Sequence, residues 1–312
     1  MQIGAWVGNN GVATPEHMLA VAKASEEHGL ASIWAADHVV WPVDYDSKYP
    51  YGGDKYPADE NQPVCEVTTT MAWLSAHTRR VRIGSLVLVV PQRNPWVLGK
   101  QLATIDRLNG GRTVLGAGLG WLREEFEILG ASFDERAARG REAVELMRAM
   151  WTRHPLRFEG RFWKAPPAGV LPHPVQRPIP VWLGGNSEGA QRRAGRWADG
   201  WLPYGLGPAE LRAGWDGVRR AAEAAGRDPS ALVCSLWAPI ALLRPGDPRP
   251  PPEIFLQGGA GELAEKLAAY AAAGLEHFLM YNLAAPEAVP EQIARIGDEV
   301  LPAVTALRPA KG

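Results

Sequence analysis

The chain has little cysteine. Cys65 and Cys234 stand far apart among 312 residues, with no CxxC pair. That scarcity argues against a disulfide framework and a structural zinc site, and it suits a reducing compartment. Long apolar runs are also missing. No stretch reaches the roughly 18 uninterrupted apolar residues that suggest a membrane span. Met1 leads almost directly into Gln2-Ile3-Gly4-Ala5-Trp6-Val7, without a charged leader or signal-like segment. A cytoplasmic protein is therefore expected. Charge of one sign is lacking too: the net charge is −1 with both signs interspersed, so neither a nucleic-acid groove nor a membrane-binding face is expected. There is no Walker motif and no GxSxG elbow, and neither cysteine has the context of a nucleophile. The histidines are scattered and the first strand carries no HxH pair, so no metal site is expected.

What the chain does have is glycine (34), proline (27) and tryptophan (13), within a composition that is 46% hydrophobic and 21% charged. These values suit a globular protein with many loops and several flat apolar surfaces, in the core or around a planar ligand. Apolar, β-branched runs alternate with helix-like segments. Ile3 to Val7 is followed by a helix that Thr14-Pro15-Glu16 caps and His28-Gly29 ends. Ser32 to Ala36 precedes Asp37-His38 and a long loop, residues 39–64. A helix over Glu66 to His77 leads to the apolar run Val81 to Val90. Asn94-Pro95 starts another helix, which ends at Asn109-Gly110-Gly111. Thr113 to Gly120 dissolves into glycines, and Asp134 to Trp151 is helical. Residues 155–180 contain seven prolines and read as an insertion with a small hairpin. The alternation then resumes through Val181 to Gly185, Gly200 to Tyr204, Leu232 to Leu243 and His277 to Tyr281.

Eight strand–helix repeats without a solvated strand face predict a parallel sheet covered by helices. In about 300 residues they favour a (β/α)₈ TIM barrel with an insertion, a single domain over residues 1–312. The site then lies at the carboxyl ends of the strands, where Asp37-His38, Gly118 to Trp121, Gly184-Gly185 and Pro203-Tyr204 fall.

Gly184-Gly185-Asn186-Ser187 closes an apolar strand and opens a helix. Glycine backbone and a helix N-terminus together can hold a phosphate, although such a turn can equally be a plain connection. Arg192, Arg193 and Arg196 on that helix either reach the anion or form a solvated face. Gly116-x-Gly118-x-Gly120 lacks the spacing and context of a dinucleotide fingerprint. It reads either as bare backbone leaving room for a flat ligand or as crowding at the barrel end. His38 suits proton transfer near neutrality. Glu124-Glu125 could supply a general base but is read as the solvated first turn of a helix.

Four segments carry a family resemblance: Ser32 to His38; Arg82 to Pro91 with Arg93-Asn94-Pro95; Lys100 to Phe126; and Leu183 to Ser187 with Ala194 to Trp201. They resemble the luciferase-like monooxygenase superfamily, in its branch of oxidoreductases using the deazaflavin coenzyme F420. The resemblance implies a homodimeric barrel that binds a flavin-like ring, with a non-prolyl cis peptide matching Leu86-Val87 behind it. It implies cofactor contacts from Asp37, His38, Ser85, Leu86, Val87, Gly118, Gly120 and Trp121, and a phosphate on Gly184, Gly185, Asn186 and Ser187. His38 is then the expected catalytic residue. Sugar-phosphate dehydrogenases of the superfamily have a Glu where this chain has Trp121. That departure, with Trp41 and Tyr204, points to a pocket for an apolar substrate, and reduction of a C=C or C=N bond is expected. Two other readings stay open: a reduced-FMN monooxygenase, and a carrier that binds the cofactor without turnover.

Overall fold

In the computed structural model, which describes residues 1–251 and 255–307, eight strands form a closed parallel barrel. In chain order they are Gln2–Trp6, Ser32–Ala35, Arg82–Ser85, Thr113–Gly118, Val181–Gly184, Gly200–Leu202, Val233–Leu242 and His277–Asn282. Strand seven pairs with both strand six and strand eight, which in turn pairs with strand one, and so closes the ring. The predicted barrel is the observed fold. The third run is shorter than Val81 to Val90. It breaks after Ser85 and resumes at Leu88–Val89, and the Leu86-Val87 peptide between the two pieces is cis.

The helices form where their ends can be satisfied. Thr14 accepts from the His17 N–H at the start of α1 (Pro15–Glu27), and Gly29, at φ +77°, follows its end. The Glu66 carboxylate caps α2 (Val67–His77) by accepting from the Thr68 and Thr69 N–H groups. Asn94 caps α3 (Pro95–Leu108) in the same way. A short helix, α4 (Arg123–Ile128), precedes α5 (Arg136–Thr152), and Glu124-Glu125 fall in its first turn as expected. Ser187 caps α6 (Glu188–Trp197), and α7 (Pro208–Glu223) and α8 (Ala260–Ala272) follow. The insertion is an antiparallel hairpin of Leu156–Glu159 and Lys164–Ala168. The buried Glu142 carboxylate clamps its tip by accepting from the N–H groups of Arg161, Phe162 and Trp163. Loop 39–64 has no helix or strand, only an isolated bridge between Val64 and Asn10.

Several tryptophans belong to the core. Trp34 and Trp182 stack inside the barrel with centroids 5.3 Å apart. Trp34 Nε1 donates to Ser32 Oγ at 2.7 Å, and Ser32 Oγ in turn meets His277 Nε2 at 2.7 Å. Burial drives the His277 pKa down to about 3, so this ring is neutral at ordinary pH. Gly84 provides the room: a Cβ there would lie 2.3 Å from the Trp34 ring. The two indoles and their polar chain fill the barrel beneath its carboxyl-terminal mouth and leave the site above on a firm floor. No described helix is long and apolar enough to cross a membrane.

Gly116 shows how closely strands three and four approach. A Cβ there would sit 1.9 Å from the Ser85 carbonyl oxygen, while Ser85 Oγ donates to the Gly116 carbonyl at 2.9 Å. Gly116→Ala should therefore destabilise the fold by about 3 kcal/mol through overpacking. Urea unfolding measures this, and an unchanged midpoint would refute it.

Candidate active site

At the carboxyl ends of strands two to five lies a cavity of ≈ 570 Å³. Leu86 and Val87 at the cis peptide, Gly118 to Trp121 beyond strand four, and Gly184, Gly185 and Ser187 beyond strand five all border it. The glycines serve both readings made of them. A Cβ on Gly118 would meet Val87 at 2.7 Å, and Gly120 adopts φ +79° against Phe126 and Val89, so the backbone is crowded on one side. Both residues still face the cavity.

His38 stands on the cavity wall with only 12% of its side chain exposed. Its Nδ1 lies 3.1 Å from Glu125 Oε2. The Glu125 carboxylate also accepts from the Val39 N–H at 2.8 Å, from the Val40 N–H at 3.3 Å and from Gln92 Nε2 at 3.1 Å. Burial would raise the carboxyl's pKa. Hydrogen bonds from His38, Val39 and Gln92, with the His38 charge, outweigh it and hold the group below its ordinary range. An ionised carboxylate only accepts, so Nδ1 carries the proton toward Glu125 and Nε2 is left for chemistry. Glu125, read as solvated, is in fact 1% exposed and is the site residue that the sequence reading missed. Its one signal was position: it directly precedes the apolar Phe126.

Other expectations need correction. Asp37 borders the cavity, but its carboxylate is wholly buried. It accepts from Arg93 at 2.6 Å and from the Val89 N–H at 2.8 Å. Burial pushes its pKa up while Arg93 and Val89 pull it down, and the carboxylate ties strand two to strand three. Ser85 is buried, spends its hydroxyl on Gly116 and does not line the cavity. Asn186 clips strand five to strand six: its amide donates to the Tyr204 carbonyl and accepts from the Tyr204 N–H. Trp41 is not in the wall. It stacks behind His38 at 4.0 Å and on Tyr56 at 5.1 Å, fixing the imidazole from the rear. Trp121 does line the cavity, edge-on to His38 at 6.3 Å, whereas Tyr204 faces an adjoining one.

The opposite end is cationic. Arg193 of α6 and Arg136 of α5 both reach the cavity, whereas Arg192 pairs with Glu188 at the surface and Arg196 lies outside the cavity. Among the described residues no carboxylate pairs with Arg193, and its buried Nε has no partner. Burial first, then the charges of Arg136 and Arg192, lower its pKa. Two guanidinium groups repelling each other beside the N-terminus of α6 make a site for an anion. The described residues contain no cluster able to hold a metal ion.

Loop 39–64 covers the mouth with Lys48, Tyr49, Tyr51 and Tyr56. Glu124 fastens its middle by accepting from the Asp46 and Ser47 N–H groups, at 2.7 and 3.1 Å. The acidic pair of α4 thus holds both the start and the centre of the loop.

The chain is similar to proteins already known. A family profile described as luciferase-like monooxygenase matches residues 1–247. An uncharacterized protein of Mycobacterium tuberculosis is 36% identical over 208 residues, covering 66% of this chain and 72% of that protein. An F420-dependent glucose-6-phosphate dehydrogenase of Amycolatopsis mediterranei is 31% identical over 195 residues, covering 60% of this chain and 53% of that protein. The fold superposes on an F420-dependent secondary alcohol dehydrogenase, solved with an F420-acetone adduct, at a TM-score of 0.78 with 20% identity, covering 97% and 98% of the two chains.

Because the folded pKa of Glu125 is depressed, its stabilisation is complete above the ordinary value of 4.5 and fades as pH falls through the folded value. The stability gap between wild type and Glu125→Gln should therefore be widest near neutrality and narrow below about pH 4.5. Urea unfolding of both proteins across that range checks this, and a gap independent of pH would contradict it.

Proposed function

This chain belongs to the luciferase-like monooxygenase family, and on that premise we propose that it is an oxidoreductase using the deazaflavin coenzyme F420. It would pass a hydride between that coenzyme and a small, apolar organic substrate, with C=C or C=N reduction favoured. The observation carrying this reading is the polarity of the cavity. Arg193, which pairs with no carboxylate among the described residues, and Arg136 stand at one end, the Glu125-held imidazole at the other, and cis Leu86-Val87 with bare glycine backbone between.

These residues fit a flat ring with a phosphate-bearing tail. Arg193, Arg136 and the first turn of α6 would hold the phosphate, and Gly184 and Gly185 let it approach the backbone. Gly118 and Gly120 leave room for the ring, and Leu86 and Val87 give it an apolar support. When bound, the deazaflavin supplies a hydride donor or acceptor that uses carbon where a flavin has its reactive nitrogen. His38 Nε2 delivers or takes the proton at the substrate atom that does not exchange the hydride. Glu125 keeps the imidazole in the tautomer this needs, and Trp41 keeps it in place. The tyrosines of loop 39–64 exclude water from the transfer. Trp121 occupies the spot where the sugar-phosphate dehydrogenases have Glu, so a polar sugar phosphate is not the substrate we assign. The unpaired Cys65 and Cys234 suit a cytoplasmic enzyme.

Fluorescence titration of the apoprotein with deazaflavin and, separately, with FMN tests the reading. Saturable binding of the deazaflavin is expected, weakened roughly 10- to 100-fold in Arg193→Ala through loss of a charge-assisted contact. Preferential FMN binding with oxygen uptake would instead make the protein a reduced-flavin monooxygenase. His38→Ala should lower turnover by roughly 10²- to 10⁴-fold with cofactor affinity little changed. Equal losses in both would count against a proton role, and tight binding with no turnover of any substrate would leave only a carrier.

A further inference from the structure

Phe133 lies in the turn between α4 and α5 and borders the cavity together with Arg136. The Arg136 guanidinium stands over the Phe133 ring, 3.8 Å from its centroid, and the Arg123 guanidinium stands 4.4 Å from the same centroid. The Phe133 carbonyl accepts from Nη1 of Arg136 at 2.8 Å and from the Arg136 backbone N–H at 3.2 Å. One residue therefore holds Arg136 by its ring and by its carbonyl. The ring is itself fixed. Phe126, fully buried, meets it edge-on at 5.3 Å and leaves no room for a side chain at Gly120 on the cavity wall.

The carboxylates nearest to Arg136 in sequence do not neutralise it. Asp134 is taken by Arg123 through two contacts, at 2.6 and 3.3 Å, and Glu135 by Arg161 at 2.5 Å. Among the described residues no ion pair includes Arg136. Burial first, then the charge of Arg123, lower its pKa, and Asp134 opposes them. An aromatic face and a carboxylate hold a guanidinium differently. A carboxylate cancels the charge and takes two N–H donors in the guanidinium plane. A ring attracts the cation from above and leaves the in-plane donors open. Apart from the Nη1 bond to Phe133, Arg136 thus keeps its donors and its charge, while the ring offsets part of the repulsion from Arg123 and Arg193.

Resting on the hydride-transfer reading above, in which a phosphate-bearing tail lies at the arginine end, we propose that Phe133 is a positioning residue for that tail. Its ring holds the Arg136 guanidinium at the cavity wall, so the anion meets a donor that is already in place. Without the ring, Arg136 is a long side chain with many rotamers, and ordering it when the anion binds costs affinity. Phe133 touches no reacting atom and acts through Arg136 alone.

Fluorescence titration of the apoprotein with the deazaflavin tests this in five forms: wild type, a protein with trifluorinated phenylalanine at position 133, Phe133→Leu, Arg136→Ala, and the last two changes combined. Fluorination keeps the ring's shape but strips the negative charge from its face, so it removes the cation–π contact and spares the packing. The trifluorinated protein and Phe133→Leu should each bind roughly 3- to 30-fold more weakly than wild type. Once Arg136 is Ala, Phe133→Leu should weaken binding no further, because the two residues act as a unit. Wild-type affinity in the trifluorinated protein would overturn the proposal, as would losses from Phe133→Leu and Arg136→Ala that add in full. If a melting curve shows that Phe133→Leu does not fold, the trifluorinated protein decides alone. Deazaflavin binding that fluorination leaves unchanged defeats this inference only. If the wild type binds FMN and not the deazaflavin, the hydride-transfer reading fails, and the same series titrated with FMN, which also carries a phosphate, decides the role of Phe133. A wild type that binds neither defeats both.

Discussion

One buried carboxylate organises the mouth of this barrel. Glu125 receives hydrogen bonds from the His38 ring, from two backbone amides at the start of the covering loop, and from Gln92 at the exit of strand three. Taking a carboxylate out of water costs several kcal/mol, and only a full set of donors makes its burial tolerable. Hydrogen bonds to a charged acceptor are worth about 1.5–3 kcal/mol each, so four of them can offset that cost. The consequence is geometric as well as energetic. The same oxygens that stabilise the charge aim the imidazole, anchor the loop and fix α4 against strand two. A neighbouring buried pair, Asp37 with Arg93, does the corresponding work one layer deeper by tying strand two to strand three.

Above this framework the mouth is divided by charge. The arginine end offers a site to an anionic tail, and the imidazole end offers a proton. The stacked Trp34 and Trp182 beneath supply rigidity, which a site needs if its groups are to be placed to within fractions of an ångström. The mouth is covered by loop 39–64, which is held by the two carboxylates of α4 rather than by secondary structure of its own.

The barrel was legible because its signal is repeated. Each apolar β-branched run is short, lacks a solvated face and is followed by a capped helix, and eight repetitions leave few alternatives. The glycine turn before α6 was legible for a similar reason, being bare backbone ahead of a Ser cap. What escaped depended on tertiary placement. Glu125 and Glu124 look alike in sequence, yet one is buried and the other only partly so, because α4 is short and packs on one side. Arg193 differs from Arg192 and Arg196 in sharing the inner side of α6 with Ala190, a distinction that three clustered arginines obscure. Asp37 was assigned to the cofactor through the family resemblance and Trp41 to the substrate wall as an apolar surface near the mouth, but Trp41 supports the ring from behind and Asp37 turns inward. Ser85 and Asn186 were carried over with their segments and proved to hold strands together. The cis Leu86-Val87 bond was read from the family resemblance alone, since nothing in the local residue types marks it.

The most direct test of this account reads the tautomer of His38. Nitrogen-15 spectra of the histidine rings, assigned by comparison with His38→Gln and recorded where the ring is neutral, should show His38 protonated at Nδ1 and bare at Nε2. Glu125→Gln should turn that single state into a mixture. A wild-type ring carrying its proton at Nε2, or a tautomer unchanged by Glu125→Gln, would contradict the role given to the buried carboxylate.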